Sequence, residues 1–599
     1  MASRYLAPTV ALALAQGIGL AHADGTLFGR VASGDIPIAG SAVTLYGAGS
    51  GSPRVLAQGK TNAVGNFQLK YTTLDPDEVV YAIAEGGKTG GASNNDSIRL
   101  LTVVGTPPLF AQINELTTVA GAYALAHFLD GRLVSGPAPG LPNAGAMFAN
   151  LASSEGKPGA VIALPPNGPK TEALATLNSL ASILSTCVRS EAACAPLFLA
   201  ATPPGGLTPI NTLTAAQSIA LHPGANAAAL FALVPKGAPY RPLLHDGPNA
   251  WTIALKFTGG GFDGPGAMAF DKDGKIWVTN NFMPPATTAS NRLTVLDPIG
   301  KPIFGSPITS GGLDGTGWGI AVTKKGDVWV GNYTGGSMSE FNKLGKPYTT
   351  DGFAKKQLDK VQGTTVDFDG NVWAASNGNN RIVMFPGGNR DNPQVFKKGG
   401  IEKPFASAID LAGNLFVANA GKNGSVTKLD PTGAPYPGSP FFLAKKSSPK
   451  GIAVDRAGNV WVADFLTNGV WALDNDGNQI FGSPITAPSM EGTWGLALDG
   501  DENVWVAGFL VKRVTKICGR RVETCPPGSQ TGDIISPKGG FRSQGFQHLT
   551  GVSVDSSGNL WVANNWKTLD PVAGGDGLVA LIGGGVPVKT PLIGPPRRP

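Results

Sequence analysis

The sequence predicts a mainly β protein: a seven-bladed β-propeller preceded by a small β-sandwich and a helical region. Three observations predict it. A motif of apolar strand, Asp-x-x-Gly-Asn turn and Trp-Val-Ala-Asn strand recurs seven times between residues 266 and 564. All eleven tryptophans fall between Trp251 and Trp566, which sets that region apart from what precedes it. Glycine is abundant, 84 of 599 residues, and charged residues are scarce at 15%, the balance of a chain with many tight turns between short strands. A net charge of +6 spread over 599 residues, with no long basic run, argues against a disordered chain and against an electrostatic nucleic-acid binder.

Residues 1–23 read as a secretory signal peptide. Arg4 supplies the positive start, Tyr5 to Leu20 a mostly apolar stretch, and Ala21-His22-Ala23 the small-x-small cleavage site. Pro8, Gln16, Gly17 and Gly19 interrupt the stretch, which falls short of the ~20 apolar residues that span a bilayer. The expectation is an exported protein, periplasmic or extracellular, with no transmembrane segment after cleavage.

Residues 24–108 carry strand-like runs at Leu27–Ala32, Ala42–Tyr46, Phe67–Tyr71 and Val79–Ala84, separated by Gly, Asn and Pro, the pattern of a small β-sandwich. The segments Gly29-Arg30-Val31, Pro37 to Leu45 and Thr61 to Phe67 resemble the carboxypeptidase-regulatory-like domain. That resemblance covers about 60 residues and implies a prealbumin-like structural or adhesive module without peptidase activity.

Residues 109–245 read as a helical domain or spacer. Ile113–Leu129, Thr171–Val188 and Thr214–Leu221 repeat apolar residues at three- and four-residue steps, with Asn114-Glu115 as a start signal and Pro223-Gly224 as a stop. His127 and His222 read as helix-face residues. Cys187/Cys194 and Cys518/Cys525 share one spacing and suit two local disulfides in an oxidising compartment; the spacing is wrong for a zinc site.

Residues 246–599 hold the repeats. Their anchor aromatics, Trp277, Trp329, Trp373, Phe416, Trp461, Trp505 and Trp561, stand 43 to 56 residues apart, close to the length of a four-stranded blade. In Asp455-Arg456-Ala457-Gly458-Asn459 the Asp can bond the turn backbone, Gly458 can take positive φ, and alternation sends the anchor Trp461 to one face for packing between blades. The last repeat shows no fourth strand after Leu578–Ile582, and Trp251–Phe257 is expected to supply it and close the ring. Ser376-Asn377-Gly378-Asn379-Asn380-Arg381-Ile382 and Gly451-Ile452-Ala453-Val454-Asp455 resemble NHL repeats. Residues 250–590 resemble exported bacterial NHL-type propellers, relatives of virginiamycin B lyase among them.

In such a ring the loops leading into the innermost strands and those leaving the second strands share one face. That face gathers Asp314, Trp318, Gln362, Lys403, Lys450, Glu491, Trp494 and His548 around the channel mouth, ringed by Phe282, Tyr333, Phe465, Phe509 and Trp566. Aromatics with scattered polar groups suit a glycan, peptide or protein partner. The favoured reading is a non-enzymatic binding scaffold with no cofactor. The alternative is a metal-dependent lyase or lactonase of the streptogramin lyase/gluconolactonase-like type, with Glu491 and His548 as its catalytic pair and Mg or Ca as its metal. Against it, no histidine stands two positions after Glu491, and the second motif strands end in Asn, Asp or Gly rather than Glu. Asp271-Lys272-Asp273-Gly274 and Asp367-Phe368-Asp369-Gly370 occupy the hairpin slot and lack the downstream glutamate of a calcium loop.

Overall fold

The computed structural model describes residues 25–599 apart from 73, 74, 76, 77, 106–108, 284–287 and 571. The signal peptide expected at 1–23 therefore lies outside the described residues.

The first part is a sandwich of two sheets. One orders Asn66–Tyr71, Gly25–Ser33, Ile36–Ala39 and Lys88–Thr89; the other orders Arg54–Lys60, Ala42–Ala48, Val79–Glu85 and Arg99–Val103. Leu27, Val43, Leu45, Phe67, Leu69 and Tyr71 are buried together between them. The helix expected over Ile113–Leu129 is shorter. Phe110–Ile113 instead joins the sandwich, parallel to Gly25–Ser33. Asn114 then caps Glu115–Ala124: its side chain accepts from the Thr117 amide and the Thr117 hydroxyl accepts from the Asn114 amide, so both orphan donors are satisfied. Ala173–Arg189 and Thr212–Leu221 fall close to expectation. Both expected disulfides are present, Cys187–Cys194 and Cys518–Cys525.

One apolar cluster runs from Tyr46 and Tyr81 of the sandwich through the helices to Phe257 and Trp561 of the propeller. The helices are thus packed against the propeller rather than tethered to it. Asn167 donates to the Lys256 carbonyl and accepts from the Lys256 amide, Asn150 donates to the Ile299 carbonyl, and the Tyr123 hydroxyl donates to the Trp251 carbonyl.

Among the described residues beyond 250 there are seven sheets of three or four antiparallel strands that follow one another along the chain, the first interrupted by a two-stranded hairpin and the last completed by an earlier strand. That sheet pairs His548–Val554, Leu560–Leu569 and Val572–Leu581 with Ala254–Phe257, in the register Ala254↔Leu581 to Phe257↔Leu578. The closing strand stands where the sequence expects it. Innermost strands adjoin in cyclic order, His548–Val554 returning to Pro265–Phe270. Every anchor aromatic is at most 1% exposed and packs into the following sheet: Trp277 against Ile320 and Val328, Trp461 against Leu496 and Val504, and Trp561 against Phe270 and Ile276 of the first. The repeats therefore close into a β-propeller.

The repeat turns show why the motif needs its residues. Asp367 Oδ1 accepts the amides of Asp369 and Asn371, while Oδ2 accepts Asn371 Nδ2 and the Trp373 indole N–H, the last two at 2.8 Å. Asp455, Asp499 and Asp555 hold Trp461, Trp505 and Trp561 in the same way at 3.3, 3.0 and 2.8 Å. These carboxylates are spent on turn and anchor, which accounts for the resemblance to calcium loops.

Candidate functional site

Six of the innermost strands share a local irregularity. Register shifts between Pro265 and Met268, Val361 and Thr364, Pro404 and Ala406, Pro449 and Gly451, Thr493 and Leu496, and Leu549 and Val552. Such bulges re-aim side chains. The residue at the bulge, with Trp318 in the equivalent place ahead of Ile320–Val322, defines one slot per blade, occupied in chain order by Gly266, Trp318, Gln362, Phe405, Lys450, Trp494 and Thr550. The residue after the slot is glycine in five strands. At Gly495 a Cβ would stand 1.9 Å from the Thr550 carbonyl of the next blade, and at Gly451 2.9 Å from that of Trp494, so the blades meet backbone to backbone just below the mouth.

Small residues in the first and last slots leave room for the bulky ones to fold across. Trp318 of the second blade lies 5.3 Å from Trp494 of the sixth and 5.4 Å from Phe405 of the fourth, ring centre to ring centre; Phe405 and Trp494 are 5.9 Å apart and edge-on. Contacts between non-adjacent blades place this trio on the axis. A second tier joins it: Phe465 and Phe509 flank Trp494 at 5.6 and 5.2 Å, and Phe509 in turn touches Trp566 at 5.4 Å and His548 at 5.0 Å.

The Lys450 ammonium sits over Phe405 at 4.5 Å and over Trp494 at 5.3 Å. Burial pulls it down to about pH 8, opposed only by the charge of Asp464. Asp464 cannot turn toward it. Its Oδ1 accepts the Ser448 and Leu466 amides, and its Oδ2 the Ser447 hydroxyl and the Trp471 indole. Three buried polar atoms around the trio have no partner among the described residues: the indole N–H groups of Trp318 and Trp494 and the side-chain oxygen of Gln362, a residue only 6% exposed.

Of the residues expected at the mouth, Trp318, Lys450, Phe465, Trp494, Phe509, His548 and Trp566 form one connected cluster. Tyr333 stands apart under Lys360, whose ammonium is 5.9 Å from its ring. Asp314, Lys403 and Glu491 are exposed on the rim, and the Phe282 side chain lies outside the described residues. The pair proposed for catalysis is not joined by a hydrogen bond. His548 is 6% exposed, its Nδ1 lies 2.9 Å from the Phe509 carbonyl, and burial lowers its pKa. Phe405 escapes the sequence reading although it occupies the slot of Trp318, Gln362, Lys450 and Trp494; aligning the seven repeats on the residue after the slot, glycine in five of them and Ala406 here, reveals it. The polar ends of the second strands are structural. Asn280, Asn332, Asn419, Asp464 and Asn564 each accept a backbone amide from the loop leading into their own blade's innermost strand, at 2.8 to 3.3 Å.

Beneath the trio the channel holds a cavity of about 230 Å³, lined by Ile320, Thr364, Ser407, Ile452 and Leu496 among others. Its far end is closed by the C-terminal tail, where Val588, Pro591 and Leu592 line it and Arg598 makes two hydrogen bonds to Asp501 at 2.8 and 2.7 Å.

Fold and mouth together define a β-propeller with a lidded channel and an aromatic, lysine-bearing axial face. No protein-family model matches the chain, and no curated protein does. Among solved structures it is similar to virginiamycin B lyase from Staphylococcus aureus, at 14% identity over 55% of this chain and 98% of that one, with a TM-score of 0.41. It is also similar to hydrazine synthase from Kuenenia stuttgartiensis (16% identity, 51% and 93%, TM-score 0.36) and to a putative gluconolactonase (14%, 44% and 86%, 0.30). Likeness at this level assigns no role to any residue here.

The buried lysine has a measurable consequence. In the unfolded chain Lys450 holds its proton to about pH 10.5, in the fold only to about 8. Between those values the unfolded state binds more protons, so stability rises with pH; below about 8 the destabilisation is felt in full. Lys450→Met is therefore expected to stabilise the protein at pH 7 by roughly 2–3 kcal/mol, the gain shrinking toward pH 10. Urea midpoints at pH 7, 8.5 and 10 check this, and a gain independent of pH would refute it.

Proposed function

We propose that the protein is an exported, non-enzymatic binding scaffold that uses the axial face of its propeller to hold a glycan, peptide or protein segment. The supporting observation is the axial cluster itself: Trp318, Phe405 and Trp494 in contact across the ring, an ammonium beside them, and unpaired indole and amide groups left for a ligand to satisfy. Buried polar groups are costly when unpaired, and a ligand that pairs them recovers that cost. Two disulfides fit an oxidising compartment, and among the described residues no helix is long and apolar enough to cross a membrane.

The lyase or lactonase reading draws less support. The Nδ1 of His548 is occupied by a backbone carbonyl, and among the described residues no three His, Cys, Asp or Glu side chains gather as ligands for Mg or Ca. A panel of glycans, immobilised peptidoglycan and peptides, presented to the full chain, tests the scaffold. Trp494→Ala is expected to weaken the bound member at least tenfold, while Leu207→Ser, at a residue 93% exposed and far from the ring in sequence, leaves it unchanged. Binding that ignores Trp494→Ala, or turnover of a panel member lost in Glu491→Gln, would count against it.

A further inference from the structure

The mouth is not evenly charged. Lys360, Lys403 and the pair Lys445-Lys446 precede the innermost strands of the third, fourth and fifth blades, and Lys422 follows the second strand of the fourth. All five are exposed, and none forms an ion pair among the described residues. With Lys450 they make a basic sector on one arc of the rim, set against the exposed carboxylates of Asp359 and Glu402. The inner edge of that arc is the aromatic trio. Lys450 links the two, its ammonium over Phe405 and Trp494 and its nearest carboxylate, Asp464, fully engaged.

We propose that the axial face recognises an acidic glycan, a uronate-bearing sugar chain whose carboxylate pairs with Lys450 while its ring lies against Trp318 and Trp494. This rests on the binding-scaffold reading and names its ligand class. A uronate offers what the site lacks. Its carboxylate supplies the missing counter-ion, its ring and hydroxyl oxygens accept from the two unpaired indole N–H groups, and its hydroxyls donate to the Gln362 oxygen. The C–H face of a pyranose is apolar and suits the half-buried indoles. Further carboxylates along the chain meet Lys403, Lys445 and Lys446, so affinity falls with salt. An acidic peptide would satisfy the lysines, and its backbone N–H groups can donate to the Gln362 oxygen, but hexa-aspartate has no apolar C–H ring face to lay against the indoles.

The test is calorimetry with the full chain and oligogalacturonate of six residues, beside maltohexaose as the neutral sugar and hexa-aspartate as the acidic peptide. Oligogalacturonate is expected to bind at least tenfold more tightly than either comparison. Lys450→Met should reduce that affinity at least tenfold, and Lys445→Gln with Lys446→Gln about threefold with a shallower salt dependence. Preference for hexa-aspartate, or equal binding of maltohexaose with no effect of Lys450→Met, overturns the acidic-glycan assignment while leaving the scaffold standing. If none of the three binds and the wider panel is also silent, the scaffold reading fails with it.

Discussion

Trp461→Ala is expected to lower stability by about 3–5 kcal/mol. The indole is fully buried and fills the wedge between the fifth and sixth blades, against Leu496, Leu498 and Val504, with the Phe481 ring stacked at 5.6 Å. Truncation removes that packing, leaves a cavity that two sheets fixed in a ring cannot collapse to fill, and deprives Asp455 of the indole N–H. Trp461→Phe should cost far less, about 1–2 kcal/mol, because the fourth blade already uses that solution. There Phe416 stands in the anchor slot with the Lys428 ammonium 5.5 Å above it, and Asn475 Nδ2 approaches Asp410 at 3.3 Å. Urea denaturation of the three proteins decides it. A loss below about 1 kcal/mol for the alanine would mean that the anchors do not wedge the blades apart.

That contrast shows which parts of the molecule were open to reading. The anchor positions and the turn aspartates follow from local chemistry repeated at a fixed period, and repetition makes a weak local signal strong; the closing role of Ala254–Phe257 follows from the strand missing in the last repeat, and the disulfides from one cysteine spacing used twice. Elements without repetition carry no such signal. Arg54–Lys60 shows little alternation in burial, and Gly140–Leu151 holds two glycines and a proline. It is a helix because Leu141, Ala144, Met147, Phe148 and Leu151 bury one face, an outcome set by tertiary packing rather than propensity.

The site was legible in membership more than in arrangement. Trp318, Lys450 and Trp494 can be placed at the mouth because each stands at or just before the start of an innermost strand. Their mutual contacts cannot, since these depend on bulges and on the empty slot at Gly266. Nor does the sequence show that no hydrogen bond joins His548 to Glu491: Glu491 precedes one innermost strand and His548 opens the next, yet one is buried under Phe509 and the other exposed.

Leu255→Asp is expected to open the ring where its two ends meet. Leu255 is fully buried, pairs with Ala580 in the closing strand and shares a cluster with Trp561, Phe270 and Ile276. A carboxylate there has no cation to meet, and an unpaired buried charge costs about 3–5 kcal/mol. Lys256→Ala, one position on, removes a largely covered stem and its ion pair to the half-exposed Asp576, which keeps Gln547 as a partner, and should cost about 1–2 kcal/mol. Location matters more than size. If strand pairing at the seam holds a ring that the other contacts only stack, amide exchange should quicken first in Leu560–Leu569 and Val572–Leu581, while Val372–Ser376, Leu415–Asn419 and Val460–Asp464 stay protected. Uniform loss of protection would mean instead that the blades unfold as a single unit, with the seam no weaker than any other junction. The axial cluster, whose partners come from the second, fourth, fifth and sixth blades, would then be lost only with the whole ring.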